Sequence, residues 1–411
     1  MNIARLLHAS PPVWLCPFRA FFLLTAIHAA LGMAAWLGML GGLLPLPAVA
    51  GGAVVWHAHE MLFGFAMASI VGFLLTAVPE FTGTAPVGRV RLQVMAGLWL
   101  AGRLGFTLSG WLSAWPAAIA DLTLLGTLLA SVAQPLWQQP DRRHVAFIYN
   151  LLLLTLIHGG FYAALLGGND PLPWLRLSIG ALMMLIVVAL SRISMRLVND
   201  AIHADTPNSP AYLARPPRRN LALFTIAAYS TGEFLLPGNA VCGWLALAAA
   251  AGMLNLLNDW HVGRALLRRW ALIPYLVYVS IAAGYSLIGA HNLAGLGSAS
   301  TGEHLLLIAA LGLAVWIVMA VAGRMHSGWG LDQRRWLPLG AGLLLAGALL
   351  RAVNGPNFIT GAALLWISAW VLYLCYSLRP LAGPRPDSLA GCAEPAAPAE
   401  SAAQRPACGG A

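Results

Sequence analysis

Residues 54–78 read VVWHAHEMLFGFAMASIVGFLLTAV, an apolar run with two histidines and a glutamate near its start. No charged side chain follows Glu60 within it, and its length exceeds the roughly 20 residues that a bilayer crossing requires. Because ionisable groups in hydrocarbon are costly, His57, His59 and Glu60 at its start indicate function. Imidazole is the commonest side-chain ligand for haem iron and copper, so the stretch predicts a metal or redox site inside a membrane.

The composition of the whole chain extends this prediction. The 411 residues are 59% hydrophobic and only 9% charged, whereas soluble domains carry roughly 25% charged residues. The sequence therefore predicts an all-α, polytopic membrane helix bundle with about 12 transmembrane helices. The predicted spans are 17–40, 54–78, 92–111, 114–137, 145–166, 173–195, 220–236, 239–257, 271–290, 303–323, 336–353 and 357–378.

The basic residues predict the orientation of the chain. All 23 are Arg; with a cytoplasmic N-terminus, 20 fall on the cytoplasmic side, Arg176 and Arg351 fall outside, and Arg103 lies within a span. By the positive-inside rule, both termini are cytoplasmic. Small groups of Arg between apolar segments also exclude a nucleic-acid-binding face, which needs clustered basic residues.

The chain divides unequally into two parts. Residues 1–380 are predicted to form a single transmembrane helical domain, with two six-helix halves separated by the cytoplasmic loop 196–219. Residues 381–411, rich in Ala, Pro, Gly and Ser, are predicted to be a disordered cytoplasmic tail. The five cysteines form no CxxC pair, so neither a disulfide framework nor a thiolate metal site is predicted.

With this topology, histidines and glutamates converge on the outer half of the membrane. A metal needs imidazoles fixed on facing helices, and candidates lie at a similar depth on separate spans. The alternative is that each is a lone polar residue, hydrogen-bonded to backbone or facing lipid headgroups. The candidate ligands are His57, His59, His158 and His304; Glu60, Glu233 and Glu303 are predicted to surround them, and His291 lies at the same end.

Helical geometry restricts these choices. Residues two apart on an α-helix point roughly 200° apart, so His57 and His59 cannot both reach one metal. Either His57 binds the metal with Glu60 beside it, while His59 faces another helix or a second cofactor, or the helix begins late and His57 lies in the loop before it.

Further charged residues have two open interpretations each. Arg103 and Asp121, on adjacent spans, are predicted to pair or to meet other polar groups, because unpaired buried charges are too costly. Arg103 then serves either cofactor binding, through a haem propionate, or a proton path, or it forms a structural ion pair. His326 contacts an anion or propionate, or lies in a solvated loop.

Several of these stretches resemble the NnrS family of bacterial inner-membrane proteins, and the resemblance spans nearly the whole chain. The stretches are 18–22 (FRAFF), 56–65 (WHAHEMLFGF), 72–79 (GFLLTAVP), 98–103 (LWLAGR), 324–328 (RMHSG) and 384–387 (PRPD). Where the family usually has GGR-x-IP-x-FT and HTGR, this chain has Ser191-Arg192-Ile193-Ser194-Met195 and His326-Ser327-Gly328-Trp329.

The resemblance implies twelve helices, an inner-membrane location, haem and copper as cofactors, and a role in the nitric oxide response that protects cells from nitrosative stress. The expected partners are membrane lipid and nitric oxide or iron–nitrosyl species; no motif indicates the electron donor. It implies a response role rather than a particular turnover. The rival functions are a membrane transporter and a non-catalytic haem-binding sensor or assembly factor.

Overall fold

All regular structure in the described part of the chain is helical. The computed structural model describes residues 12–45, 49–140, 142, 144–205, 210–353, 355–387 and 391–392, and no strand occurs among them. The long helices are α1 (Pro17–Leu40), α2 (Ala53–Thr82), α3 (Arg89–Thr107), α4 (Trp115–Trp137), α5 (Val145–Leu166), α6 (Leu172–Asp205), α7 (Pro216–Leu235), α8 (Ala240–Leu257), α9 (Arg269–Ala294), α10 (Ala299–Met325), α11 (Trp336–Ala352) and α12 (Pro356–Ala382).

Within these described ranges, nine helices are long and apolar enough to cross a membrane. This confirms a polytopic helical membrane protein. The shorter apolar α11 and the helices α3 and α7, whose first turns carry Arg, fall outside the nine. The count of twelve spans and the cytoplasmic location of both termini remain predictions.

Successive helices pack antiparallel through small residues. A Cβ added at Gly72 of α2 would touch Phe21 of α1, and one at Gly105 of α3 would touch Ala117 of α4. Small residues let helix backbones approach closely where lipid supplies no hydrophobic drive for association. The last helix packs back on the first, with Trp366 Nε1 donating to Ala29 O at 3.0 Å.

The helix termini at 17, 82 and 382 share one end of the bundle, here called the terminal end; the opposite end is the far end. At the terminal end, the buried Arg19 donates to the carbonyl oxygens of Leu381 and Gly383 at 3.0 and 2.7 Å. Cys16 and Cys392 form a disulfide across 376 residues. The sequence did not predict a disulfide framework, and this one disulfide corrects that expectation, because packing of α12 against α1, rather than local spacing, brings the two cysteines together.

One predicted boundary, the start of the loop 196–219, differs from the structure, and most of the predicted tail lies outside the described residues. Helix α6 continues to Asp205, so the first ten residues of the predicted loop 196–219 are helical. The reason is a buried apolar stripe at helical spacing, formed by Leu197, Val198, Ala201 and Ile202. Most of the predicted disordered tail, residues 393–411, lies outside the described residues.

Candidate metal centre

A π-helical segment in α2 begins directly after His59. The helix is α-helical over Ala53–His59, π-helical over Glu60–Ala66 and α-helical again from Met67. π-Helical turns insert an extra residue into a helix and are frequent at functional sites. Here the sequence neighbours His59 and Glu60 join one buried cluster, with 3.2 Å between His59 Nδ1 and Glu60 Oε1.

Three helices bring two histidines and one aspartate together. His59 Nε2 of α2 lies 3.1 Å from His158 Nε2 of α5. Asp121 Oδ2 of α4 lies 3.7 Å from both nitrogens. All three side chains are buried, and their ligand atoms lie within 4.8 Å of one another. Among the residues that the structure describes, this is the one group of three such side chains suited to hold a metal ion.

Arg103 holds the carboxylates of this cluster in place. Its guanidinium donates to Glu60 Oε1 at 2.9 Å and to both oxygens of Asp121 at 2.7 and 2.6 Å. The predicted pairing of Arg103 with Asp121 is therefore confirmed. Glu60 also contacts His28 of α1, with 3.2 Å between Oε2 and Nε2. Two carboxylates and one guanidinium leave one net negative charge if the histidines are neutral, and such a charge in hydrocarbon requires a compensating cation.

A tyrosine and three phenylalanines complete the surroundings. The Tyr162 hydroxyl donates to Asp121 Oδ2 at 2.7 Å and lies 3.2 Å from His59 Nε2. Phe63 stacks on the His158 ring at 3.5 Å between centroids, and Phe106 lies 3.9 Å from the His59 ring. Phe161 packs beside His59 at 4.9 Å. These rings exclude water, which strengthens the electrostatic interactions inside the cluster.

The orientation of His59 suits a metal ligand. When its Nδ1–H donates to Glu60, its Nε2 carries the lone pair that points at His158 and Asp121. A carboxylate that orients a ligating imidazole in this way is the usual partner of metal-bound histidine. Two imidazole nitrogens bound tetrahedrally at about 2.0–2.1 Å stand about 3.3 Å apart, close to the spacing of these two.

His57 and His304 lie apart from the cluster, near one another at the far end. The His57 ring stacks on Trp36 at 4.5 Å, and its Nδ1 is buried without a hydrogen-bond partner. His304 and Arg351 lie in the same region of the far end as His57. His304 Nδ1 donates to Ser300 O at 2.7 Å, which leaves the lone pair of a neutral ring on Nε2.

Other predicted site residues lie elsewhere. Glu233 and Glu303 line a separate cavity, and His326 lies at the terminal end, where its Nδ1 bonds Cys392 O at 2.9 Å and its Nε2 lies 3.4 Å from Glu80 Oε2. Of the four predicted ligands, the structure thus unites His59 with His158 and places His57 near His304. Glu60 contacts the His59 ring in the cluster and does not lie beside His57 as a partner.

The sequence indicates Asp121 only as the partner of Arg103, and it does not predict that Tyr162 and His28 join the cluster. A signal for Tyr162 was present, because it follows His158 by one helical turn and shares its face. Nothing in the sequence marked His28, since its role depends on how α1 packs against α2.

The fold and this centre define a multi-pass helical membrane protein with a buried His–Asp–His cluster of metal-binding type. The family model described as NnrS protein matches residues 12–385, and the chain therefore belongs to the NnrS family, a family of membrane proteins of the nitric oxide response. No protein in the curated set matches the chain.

Proposed function

We propose that this chain is a haem- and copper-containing inner-membrane protein of the nitric oxide response that protects cells from nitrosative stress. In this proposal His59, His158 and Asp121 hold the copper ion near the periplasmic side of the membrane. The observation that carries it is the 3.1 Å approach of two buried imidazole nitrogens beside a carboxylate, within a cluster of net negative charge. Imidazole suits copper, and copper binds nitrogen and oxygen donors more tightly than the other divalent first-row metals.

Each surrounding residue has a separate task. Glu60 orients His59, and Arg103 holds Asp121 and keeps the two carboxylates from repelling each other. The Tyr162 hydroxyl donates to Asp121 and lies 3.2 Å from His59 Nε2, so it can supply a proton beside the metal position. Copper, when bound, supplies a coordination position for nitric oxide. Nitric oxide is small and uncharged and dissolves in lipid, so it reaches a buried centre without a polar channel.

Haem does not fit between His59 and His158. Phe63 and Phe106 pack directly on these two rings, so a macrocycle would have to displace them. In our proposal His57 and His304 hold the haem, with Trp36 stacked on one face of the His57 ring. The buried His57 Nδ1 lacks a partner, His304 Nε2 has its lone pair available, and Arg351 supplies a cation near them for a propionate.

The test is metal analysis with visible spectra on the purified full chain and its variants. We expect copper and haem in the wild type, with a haem spectrum that shifts on addition of nitric oxide. His59→Ala and His158→Ala should lose copper and keep haem. His57→Ala and His304→Ala should lose haem and keep copper. A folded wild type with neither cofactor would refute the proposal. If the analysis instead finds non-haem iron that the His59→Ala variant lacks, the cluster is an iron site rather than a copper site, since two histidines and a carboxylate also suit ferrous iron.

A milder substitution tests the orienting role of Glu60. Glu60→Gln keeps the size of the side chain but weakens its hold on His59, and we expect copper affinity to fall about 10–100-fold. Competitive titration with a copper chelator measures this change. An unchanged affinity would show that the Glu60 charge is not needed to orient His59 for metal binding.

Two measurements separate the rival functions. Steady-state consumption of nitric oxide under reducing conditions distinguishes an enzyme from a non-catalytic sensor or assembly factor. A membrane fraction coloured by haem favours a redox protein over a transporter, for which bound pigment is not expected.

A further inference from the structure

A second polar site lies at the far end, between α6, α7, α9 and α10. It is a cavity of about 40 Å³, and its lining includes Glu233 of α7, Glu303 of α10 and Tyr285 of α9. None of its lining residues belongs to the His59 cluster. Two carboxylates on different helices thus face one cavity that opens at the far end of the bundle.

Two buried oxygen atoms at this cavity lack a well-placed hydrogen-bond partner. Tyr285 is fully buried, and its hydroxyl has no partner at hydrogen-bonding geometry; the Ser230 hydroxyl, which lines the same cavity, is the polar side chain that interacts with it. Glu233 Oε2 is also buried without a hydrogen-bond partner. Leaving buried polar groups unpaired is costly, and native proteins satisfy nearly all of them with protein, water or ligand. These oxygens therefore point to a bound species that completes their interactions.

The charges around the cavity indicate the sign of that species. Glu303 Oε1 pairs with Arg176 Nε at 3.2 Å, and the Arg176 side chain is 51% exposed at the mouth. Glu233 brings a second carboxylate to the cavity. The two carboxylates and one guanidinium leave one net negative charge in an apolar bundle, which favours a cation.

We propose that this cavity binds a monovalent alkali cation, sodium or potassium, through oxygens of Glu233, Glu303 and Tyr285. Carboxylate and hydroxyl oxygens are hard donors that suit hard cations, and no softer donor is needed. One water needs roughly 10–15 Å³ of such space, so the cavity has room for a small ion. A single positive charge balances the single net negative charge. The proposal does not depend on the copper or haem assignment.

The test is thermal unfolding of the purified full chain in detergent, with choline chloride replaced by sodium, potassium or calcium chloride at constant ionic strength. We expect a saturable rise in melting temperature with sodium or potassium. Tyr285→Phe removes one oxygen and keeps the ring, so the concentration needed for half the rise should increase about tenfold or more. Glu233→Gln should abolish the rise.

Tyr278→Phe is the matched control. Tyr278 lies on the same helix, is also fully buried with an unpartnered hydroxyl, and does not line the cavity. It should keep the wild-type response. The absence of any alkali-specific rise, a response to calcium alone, or equal responses in the two Tyr variants would each overturn the proposal. A copper chelator should leave the alkali response unchanged, which separates failure here from failure of the metal centre.

Discussion

Helices α2 and α10 share one local structural feature, but the side chains around it differ. In each, a histidine is followed at once by a π-helical segment, Glu60–Ala66 after His59 and Leu305–Leu311 after His304. His59 is fully buried and contacts side chains from α3, α4 and α5. The hydrogen bonds of His304 go instead to Ser300, one turn earlier on its own helix.

The contrast shows that a π-helical turn after a histidine does not by itself build a buried cluster of charged side chains around it. The neighbouring helices must also supply complementary charge, as Arg103 and Asp121 do for His59. At His304 the nearby cation Arg351 instead donates to Ser300 Oγ at 3.2 Å. We therefore expect substitutions around His59 to disturb both folding and metal binding, and equivalent ones around His304 to act mainly on the cofactor.

The largest effect is expected from Arg103→Ala. It leaves Glu60 and Asp121 buried without their cation, and removing one partner of a buried pair costs about 3–5 kcal/mol. The matched substitution at the other histidine, Arg351→Ala, should cost about 1 kcal/mol or less. Thermal unfolding in detergent measures both. Equal losses would remove the contrast between the two regions.

Gly102→Ala should have the next largest effect. A Cβ at this position would collide with the Asp121 carboxylate, so we expect a loss of about 1–3 kcal/mol together with reduced copper content. Gly97 on the same helix is exposed and faces open space, and Gly97→Ala should instead stabilise the chain by about 0.5–1 kcal/mol. If Gly102→Ala retained full stability and copper, close packing of α3 on α4 would not be needed for the centre.

A smaller effect is expected from Tyr162→Phe. The loss of its hydrogen bond to Asp121 should lower stability by about 1–2 kcal/mol, while His59 and His158 still bind copper. Combined unfolding and metal analysis of this variant test both expectations. A complete loss of copper would instead identify Tyr162 as a ligand.

The smallest effect is expected from Trp36→Phe at the second histidine pair. Stacked rings contribute about 0.5–1.5 kcal/mol, and phenylalanine retains part of this contact with His57, so the stability loss should stay below about 1 kcal/mol. The haem spectrum should shift while the copper content stays constant. A loss of copper would mean that the two regions are coupled.

Much of this organisation can be predicted from the sequence. Apolar runs of spanning length predict a helical membrane bundle, and the cost of a lone buried charge predicts that Arg103 and Asp121 pair. Helical periodicity also shows that His57 and His59 cannot serve one metal, and the structure places them in different surroundings. Each of these inferences depends on local geometry or on the energy of a single group in lipid.

Which helix faces meet depends on tertiary packing and could not be predicted from the sequence. The sequence places His158 and His304 at similar depth as candidate partners for the α2 histidines, yet packing brings His158 to His59 and leaves His304 near His57. It also moves Glu233 and Glu303 into a separate cavity. The physical reason is that depth in a membrane follows from position along a helix, whereas the neighbour of each face depends on how all the helices rotate and pack together.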